Sequence, residues 1–313
     1  MARSAPTKKG AESFVTKKHL FFGVLAVLAY IVIFYTVSFT HLFSTEYTRA
    51  DDAATTTSGK VAVTPPLPPP RPAIDKAVYD AKLNFLAHVD TSATTSTSTP
   101  KQTLWPVKGN PYPLAGALLP SNRIVAYYGN FYSKGMGVLG QYPADQMISM
   151  LKAAADQWKE ADPSTPVIPA IDYIAVTAQG SPGKDMMYRL QMPDSQMDEA
   201  VALAAQVNGI VILDVQVGDS TVQTEVPLLE KYLKMPNVHL ALDPEFDMGA
   251  GVKPGTVIGT MGATEINWAA NYLATLVKEN NLPPKILVIH RFTDNMVQNK
   301  QKITPLPEVQ IVM

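Results

Sequence analysis

The sequence predicts an α/β fold built on a parallel sheet, a TIM-like (β/α) barrel, from about residue 104 to residue 313. Three observations predict it. After residue 122, short apolar runs alternate regularly with amphipathic stretches, as strands alternate with crossover helices. The clearest repeat is residues 209–248, GIVILDVQVGDSTVQTEVPLLEKYLKMPNVHLALDPEFDM, in which two β-branched runs flank Val222, Val226, Leu229 and Leu233 at helical spacing. Acidic residues gather at the carboxyl ends of both runs, where parallel α/β folds bind ligands.

The repeat then places each element. Strand one covers 124–131, followed by a helix over 144–160 with Met147, Ile148, Leu151, Ala155 and Trp158 on one face and Asp162-Pro163 as its stop. Strand two covers 167–176, and Asp194-Ser195 starts its helix, which carries Met197, Val201 and Ala204. Strands three and four, 210–217 and 238–246, belong to the unit above, with Thr224 as helix cap and Pro227 in the first turn. A helix over 264–279 precedes strand five at 286–292; a short helix near Asp294 and a sixth strand from 309 complete the pattern. Six strands fall short of the eight of a (β/α)8 barrel, which averages about 250 residues. The sequence therefore predicts a barrel truncated before its last two units.

The first hundred residues differ in kind. The run LFFGVLAVLAYIVIFYTVSF begins at Leu20 and ends at Phe39 without a charge, long enough as a helix to cross a bilayer. Residues 1–19 contribute Arg3, Lys8, Lys9, Lys17 and Lys18, whereas Glu46, Arg49, Asp51 and Asp52 follow the run. The positive-inside rule then puts the N-terminus in the cytoplasm and the barrel outside it, tethered to the membrane through residues 20–39. Residues 40–103 are rich in Thr, Ser, Ala and Pro, a spacer with one short helical stretch at 74–88. A lead-in broken by prolines, LWPVKGNPYPLAGALLP, leads to strand one.

Composition narrows function. The absence of Cys excludes disulfides, thiolate metal sites and a Cys nucleophile. From residue 122 onward, 14 Lys plus Arg stand against 20 Asp plus Glu, which argues against nucleic acid as a ligand of the folded part.

Polar residues at the predicted strand ends define the candidate site: Tyr128 and Asn130 from strand one, Asp172 from two, Asp214 and Gln216 from three, Asp243 and Glu245 from four, and His290 with Arg291 from five. Alternation along a strand puts Asp214 with Gln216, and Asp243 with Glu245, on shared faces. Glycosidic cleavage needs two carboxyl groups in different protonation states. Glu245 is the expected general acid, Asp243 or Asp214 its charged neighbour, and Tyr128, Asn130, Asp172, Gln216, His290 and Arg291 the substrate-binding set. The same residues also suit a hydrogen-bonded network that only satisfies the top of the sheet, with Asp243-Pro244 as a turn. A single His without HxH or HExxH spacing assigns no metal centre, although His290 with Asp172 or Asp214 leaves a metal-dependent hydrolase as an alternative. No cofactor is expected. Gly135-Met136-Gly137-Val138-Leu139-Gly140 matches GxGxxG but precedes Pro143 and the helix start, so it reads as a loop. The stretch GAGVKPGTVIGTMG, 249–262, is a candidate lid or an ordinary loop.

The segments RIVAYYGNFYSKGMGVLGQYP, VIPAIDYIAVTAQGSPG, LDVQVGDSTVQTE, MPNVHLALDPEF and ENNLPPKILVIHRFT resemble a family of uncharacterised bacterial envelope proteins, over about residues 104–313. The resemblance implies a barrel, exported or membrane-tethered, that continues past residue 313, and it supplies no catalytic residues. A looser likeness to barrel glycoside hydrolases rests on the acid at the end of strand four alone. Together these lead to a tethered barrel that binds or cleaves an envelope glycan, with a non-catalytic envelope module as the alternative.

Overall fold

The computed structural model describes residues 74–87 and 110–313. The predicted basic tail, the span at residues 20–39 and most of the spacer lie outside them. Among the described residues no helix is long and apolar enough to cross a membrane.

Six parallel strands form the main sheet: β1 (Arg123–Gly129), β2 (Val167–Ala178), β4 (Ile210–Val215), β5 (Val238–Leu242), β7 (Lys285–Ile289) and β9 (Val309–Val312). They lie side by side in chain order. Right-handed crossovers between sequential neighbours put every helix on the same face, whereas a doubly wound sheet reverses order midway. That face is packed by α3 (Ala144–Ala161), α4 (Asp194–Gln206) and α7 (Ala263–Glu279). Met147 and Leu151, Met197 and Leu203, and Ile266 and Leu273 meet Ile171, Tyr173, Leu213, Leu240 and Leu287 in one core.

The opposite face is concave. Tyr128 on β1 and His290 just past β7 have ring centroids 5.7 Å apart, although four strand-to-strand steps, roughly 19 Å in a flat sheet, separate those strands. The predicted barrel is thus a curled half-barrel, with β1 and β9 at the two ends of the strand order. The lead-in spans from one end to the other. Leu114 N–H donates to the Pro307 carbonyl (2.8 Å), and the Gln310 side chain bonds both N–H and C=O of Leu119 (3.1 and 2.6 Å). Inside the curl, Ala170, Ile210, Ile212 and Ala241 form a small apolar cluster. A cavity of about 410 Å³ lies beside it, lined mainly by aliphatic side chains with Asp172 among them.

Helix α1 (Lys76–Leu86) realises the stretch predicted at 74–88; Asp75 caps it by accepting from Ala77 and Val78 N–H. Its Lys82 donates to Thr165 Oγ1 (2.5 Å), Asp80 accepts from Tyr112 Oη (2.7 Å), and Leu86 reaches the cavity wall.

Three details depart from expectation. The connection from β4 to β5 is not one helix capped by Thr224. Thr221 is the cap, accepting from Thr224 N–H, and Pro227, which has no N–H to donate, breaks the run into α5 (Val222–Glu225), a 3₁₀ turn (Val226–Leu229) and α6 (Glu230–Leu233). Strand four ends at Leu242 because Pro244 begins another 3₁₀ turn, Pro244–Phe246. The short strands also depart: β3 (Arg189–Gln191) pairs antiparallel with the end of β2, and β6 (Met261–Gly262) and β8 (Val297–Gln298) pair with each other off the main sheet.

On the concave face below the strand ends, His239 is 1% exposed and accepts from Ile286 N–H at Nδ1 (3.0 Å). Burial, aided by the charge of nearby Lys285, pushes it down to about 3. The unfolded chain therefore binds a proton near pH 6.5 that the native state refuses until about pH 3, so stability is complete above pH 6.5 and falls as pH drops through that window. His239's share of the loss at pH 5 is about 2 kcal/mol. Urea titrations of wild type and His239→Gln at pH 7.5 and pH 5 check it: on going to pH 5 wild type should lose about 2 kcal/mol relative to the variant, and an equal pH dependence in both proteins would contradict the assignment.

Candidate functional site

Five strand ends deliver the polar groups. Tyr128 on β1 is in register with Asp172 on β2, Asp172 with Ile212 on β4, and Asp214 lies two residues further along the same face. Asp243 and His290 each directly follow the last residue of their strands and continue the ladder, donating from their N–H to Val215 and Leu242 carbonyls. The curl turns these rows toward one another.

His290 is the hub. Its Nδ1 lies 2.8 Å from Asp243 Oδ1 and 3.6 Å from Asp214 Oδ2, and its Nε2 lies 3.7 Å from Asp172 Oδ2. Asp243 Oδ2 accepts from Gln216 Nε2 (2.9 Å) and Tyr128 Oη (3.3 Å). Gln216 is oriented by its other end, where Oε1 accepts from Ala178 N–H (3.0 Å), so its amide must present N–H to the carboxylate. That N–H donor sits in place because β2 slips register between Ile174 and Val176, a bulge beside the cluster.

The electrostatics follow from burial. Asp214 is fully buried, and among the described residues neither carboxylate oxygen has a direct hydrogen-bond partner. Burial first, then the Asp243 charge, holds its carboxyl well above the usual range against the opposing pull of His290 and of the Tyr128 hydroxyl. Burial likewise pushes Asp172 up to about 7, with His290 opposing and Asp243 adding. For His290, burial lowers the value, but the hydrogen bond to Asp243 and the charges of Asp214, Asp243 and Asp172 outweigh it and raise it to about 10. Tyr128 is held neutral by burial and by the same three carboxylates. A cationic imidazole thus sits among three carboxyl groups whose mutual repulsion favours keeping a proton on the cluster.

Glu245 stands just outside. The 3₁₀ turn removes it from strand alternation, so it does not simply share a face with Asp243 as expected. It is half-buried, and burial followed by the Asp243 charge raises its carboxyl, with His290 opposing. Its carbonyl accepts from Gly259 N–H (2.7 Å), and a Cβ on Gly259 would stand 2.7 Å from that carbonyl oxygen, so the 249–262 loop is packed tightly on the residue.

Two of the nine predicted site residues point elsewhere. Asn130 is buried and bonds Tyr173 Oη, the Ile174 carbonyl and Tyr132 N–H, because Gly129 at φ +144° breaks the alternation before it. Arg291 pairs with Asp294 and the Thr293 carbonyl, the neighbour of His290 facing away as strand alternation dictates. Tyr127 packs into the helix-side core.

No family model matches the chain, and no curated protein matches it. What the site can do therefore follows from its own chemistry. The glycine pattern needs no nucleotide: a Cβ at Gly137 (φ +104°) would lie 2.3 Å from the Tyr128 carbonyl oxygen, and one at Gly140 2.3 Å from that of Asn130. Those glycines let the β1–α3 connection, which contains the short helix α2 (Val138–Gln141), lie on the strand end that carries Tyr128. The residues the sequence reading missed, Arg189, Gln191 and Ser220, surround buried Glu225 behind the site. Their only sequence signal was an acid on the apolar side of a helix.

Proposed function

We propose that this chain is a membrane-tethered, extracytoplasmic hydrolase that cleaves glycosidic bonds of an envelope polysaccharide at the mouth of its half-barrel. The observation that carries the reading is the convergence of Asp172, Asp214 and Asp243 on His290, with half-buried Glu245 beside them. In this reading the half-barrel belongs to the TIM-like class, whose active sites lie at the carboxyl ends of the strands. The tether and its orientation rest on residues 20–39 and the basic residues before them.

Glu245 gives its proton to the glycosidic oxygen as the bond from that oxygen to the anomeric carbon breaks. Water adds to the anomeric carbon and releases its proton to Asp243 or Asp214, and Glu245 is reprotonated from solvent. His290 keeps the acceptor carboxylate in place through its 2.8 Å contact with Asp243. Phe292, 62% exposed and three residues past Ile289, the last residue of β7, offers a face on which a sugar ring stacks.

Incubating the full chain with a panel of envelope glycans, and measuring binding on an array beside reducing-end release, tests this. Wild type should release reducing ends, and Glu245→Gln should bind equally while releasing about 10²–10⁴-fold more slowly. Binding without release by wild type would replace the hydrolase with a non-catalytic envelope module. Neither binding nor release would sink both.

A further inference from the structure

We propose that Asp214, Asp243 and His290 form a binding site for a divalent cation, with Asp214 Oδ2, Asp243 Oδ1 and His290 Nδ1 as its protein ligands. The inference goes beyond the glycan reading, since the cation would bind whatever bond the site cleaves. One potential ligand atom from each of the three residues falls within 4.8 Å of the others. The imidazole nitrogen is 2.8 Å from one carboxylate oxygen and 3.6 Å from the other. Metal–ligand bonds of about 2.1 Å at octahedral or tetrahedral angles put neighbouring ligand atoms roughly 3.0–3.4 Å apart, so small side-chain movements suffice.

An acidic cluster alone would not make a site. A separate observation is the state of Asp214: fully buried, aimed into the cluster and, among the described residues, without a direct hydrogen bond to either oxygen. A buried carboxylate left in that condition costs several kcal/mol unless something positive meets it. His290 approaches it only at 3.6 Å while spending its close contact on Asp243.

The surroundings have the form of an outer shell. Asp243 would use Oδ1 as ligand while Oδ2 is fixed by Gln216 and Tyr128. His290 would use Nδ1 while Nε2 faces Asp172, the arrangement in which a carboxylate orients a ligating histidine. One imidazole with two carboxylates suits Zn²⁺ or Mn²⁺; Ca²⁺ takes six to eight oxygens and is disfavoured by the nitrogen.

The test is calorimetric titration of tag-free, chelator-stripped full chain in detergent with Zn²⁺ and with Mn²⁺. One equivalent of at least one ion should bind. Asp214→Asn and His290→Gln, each checked for a cooperative thermal transition, should weaken it at least about 10²-fold, and Gln216→Leu about 10–100-fold through the outer shell. Exposed Asp156→Asn should leave it unchanged. Absence of binding by either ion, or binding undiminished in both Asp214→Asn and His290→Gln, would overturn the proposal. Cation binding without glycan release would leave this site standing and remove only the hydrolase reading.

Discussion

Asp214→Asn is expected to make the protein more stable while removing its activity. Asp214 is 0% exposed, its oxygens lack direct hydrogen bonds among the described residues, and two further carboxylates stand around it. Asn keeps the shape, removes a buried acid whose ionisation burial and Asp243 oppose, and brings N–H groups from which the neighbouring carboxylates can accept hydrogen bonds. In chelator-stripped protein the gain should be about 1–3 kcal/mol, or roughly 2–4 °C in Tm per kcal/mol for a domain of this size. Glycan release should fall about 10²–10⁴-fold. A network that merely satisfied the top of the sheet would give the reverse, a clear loss of stability on removing one of its members. Thermal melts and release rates measured on the same preparations decide between them.

Arg189→Leu should produce the largest loss of stability. Glu225 on α5 is 0% exposed and accepts from Arg189 Nε (2.7 Å), Gln191 Nε2 (2.7 Å) and Ser220 Oγ (2.5 Å). It therefore pins β3, the turn after β4 and the start of the β4–β5 connection together. Removing the guanidinium leaves a buried carboxylate without its counter-charge, at about 3–5 kcal/mol. Replacing both partners by Leu removes the stranded charge and should recover part of that loss. The effect reaches the site, because β3 pairs with 176–178 and Ala178 N–H orients Gln216. Urea unfolding of the two variants checks this; a loss below about 1 kcal/mol for Arg189→Leu would mean the pair is screened by water.

The fold was legible where local periodicity dictates it. Apolar runs and capped amphipathic stretches located the six strands of the main sheet and three long helices, since each signal needs only nearby residues. Strand alternation also placed Asp214 with Gln216 correctly. It failed where the backbone leaves the strand: Gly129 redirects Asn130, and Pro244 lifts Glu245 into a 3₁₀ turn. What no local pattern carries is curvature. That Tyr128 lies beside His290 across four strand steps depends on the accumulated curl of the whole sheet, and that curl turns scattered strand-end residues into a cluster. The Glu225 network was hidden for a related reason, since Arg189 and Gln191 belong to a strand of three residues, too short to show a period.

The most direct test of the central claim, that these strand ends form a hydrolytic centre, is glycan release by the full chain in ¹⁸O-labelled water. Wild type should place one label at each new reducing end, and Glu245→Gln should slow its appearance about 10²–10⁴-fold. Unlabelled ends, or labelled release that proceeds undiminished in Glu245→Gln, would contradict it.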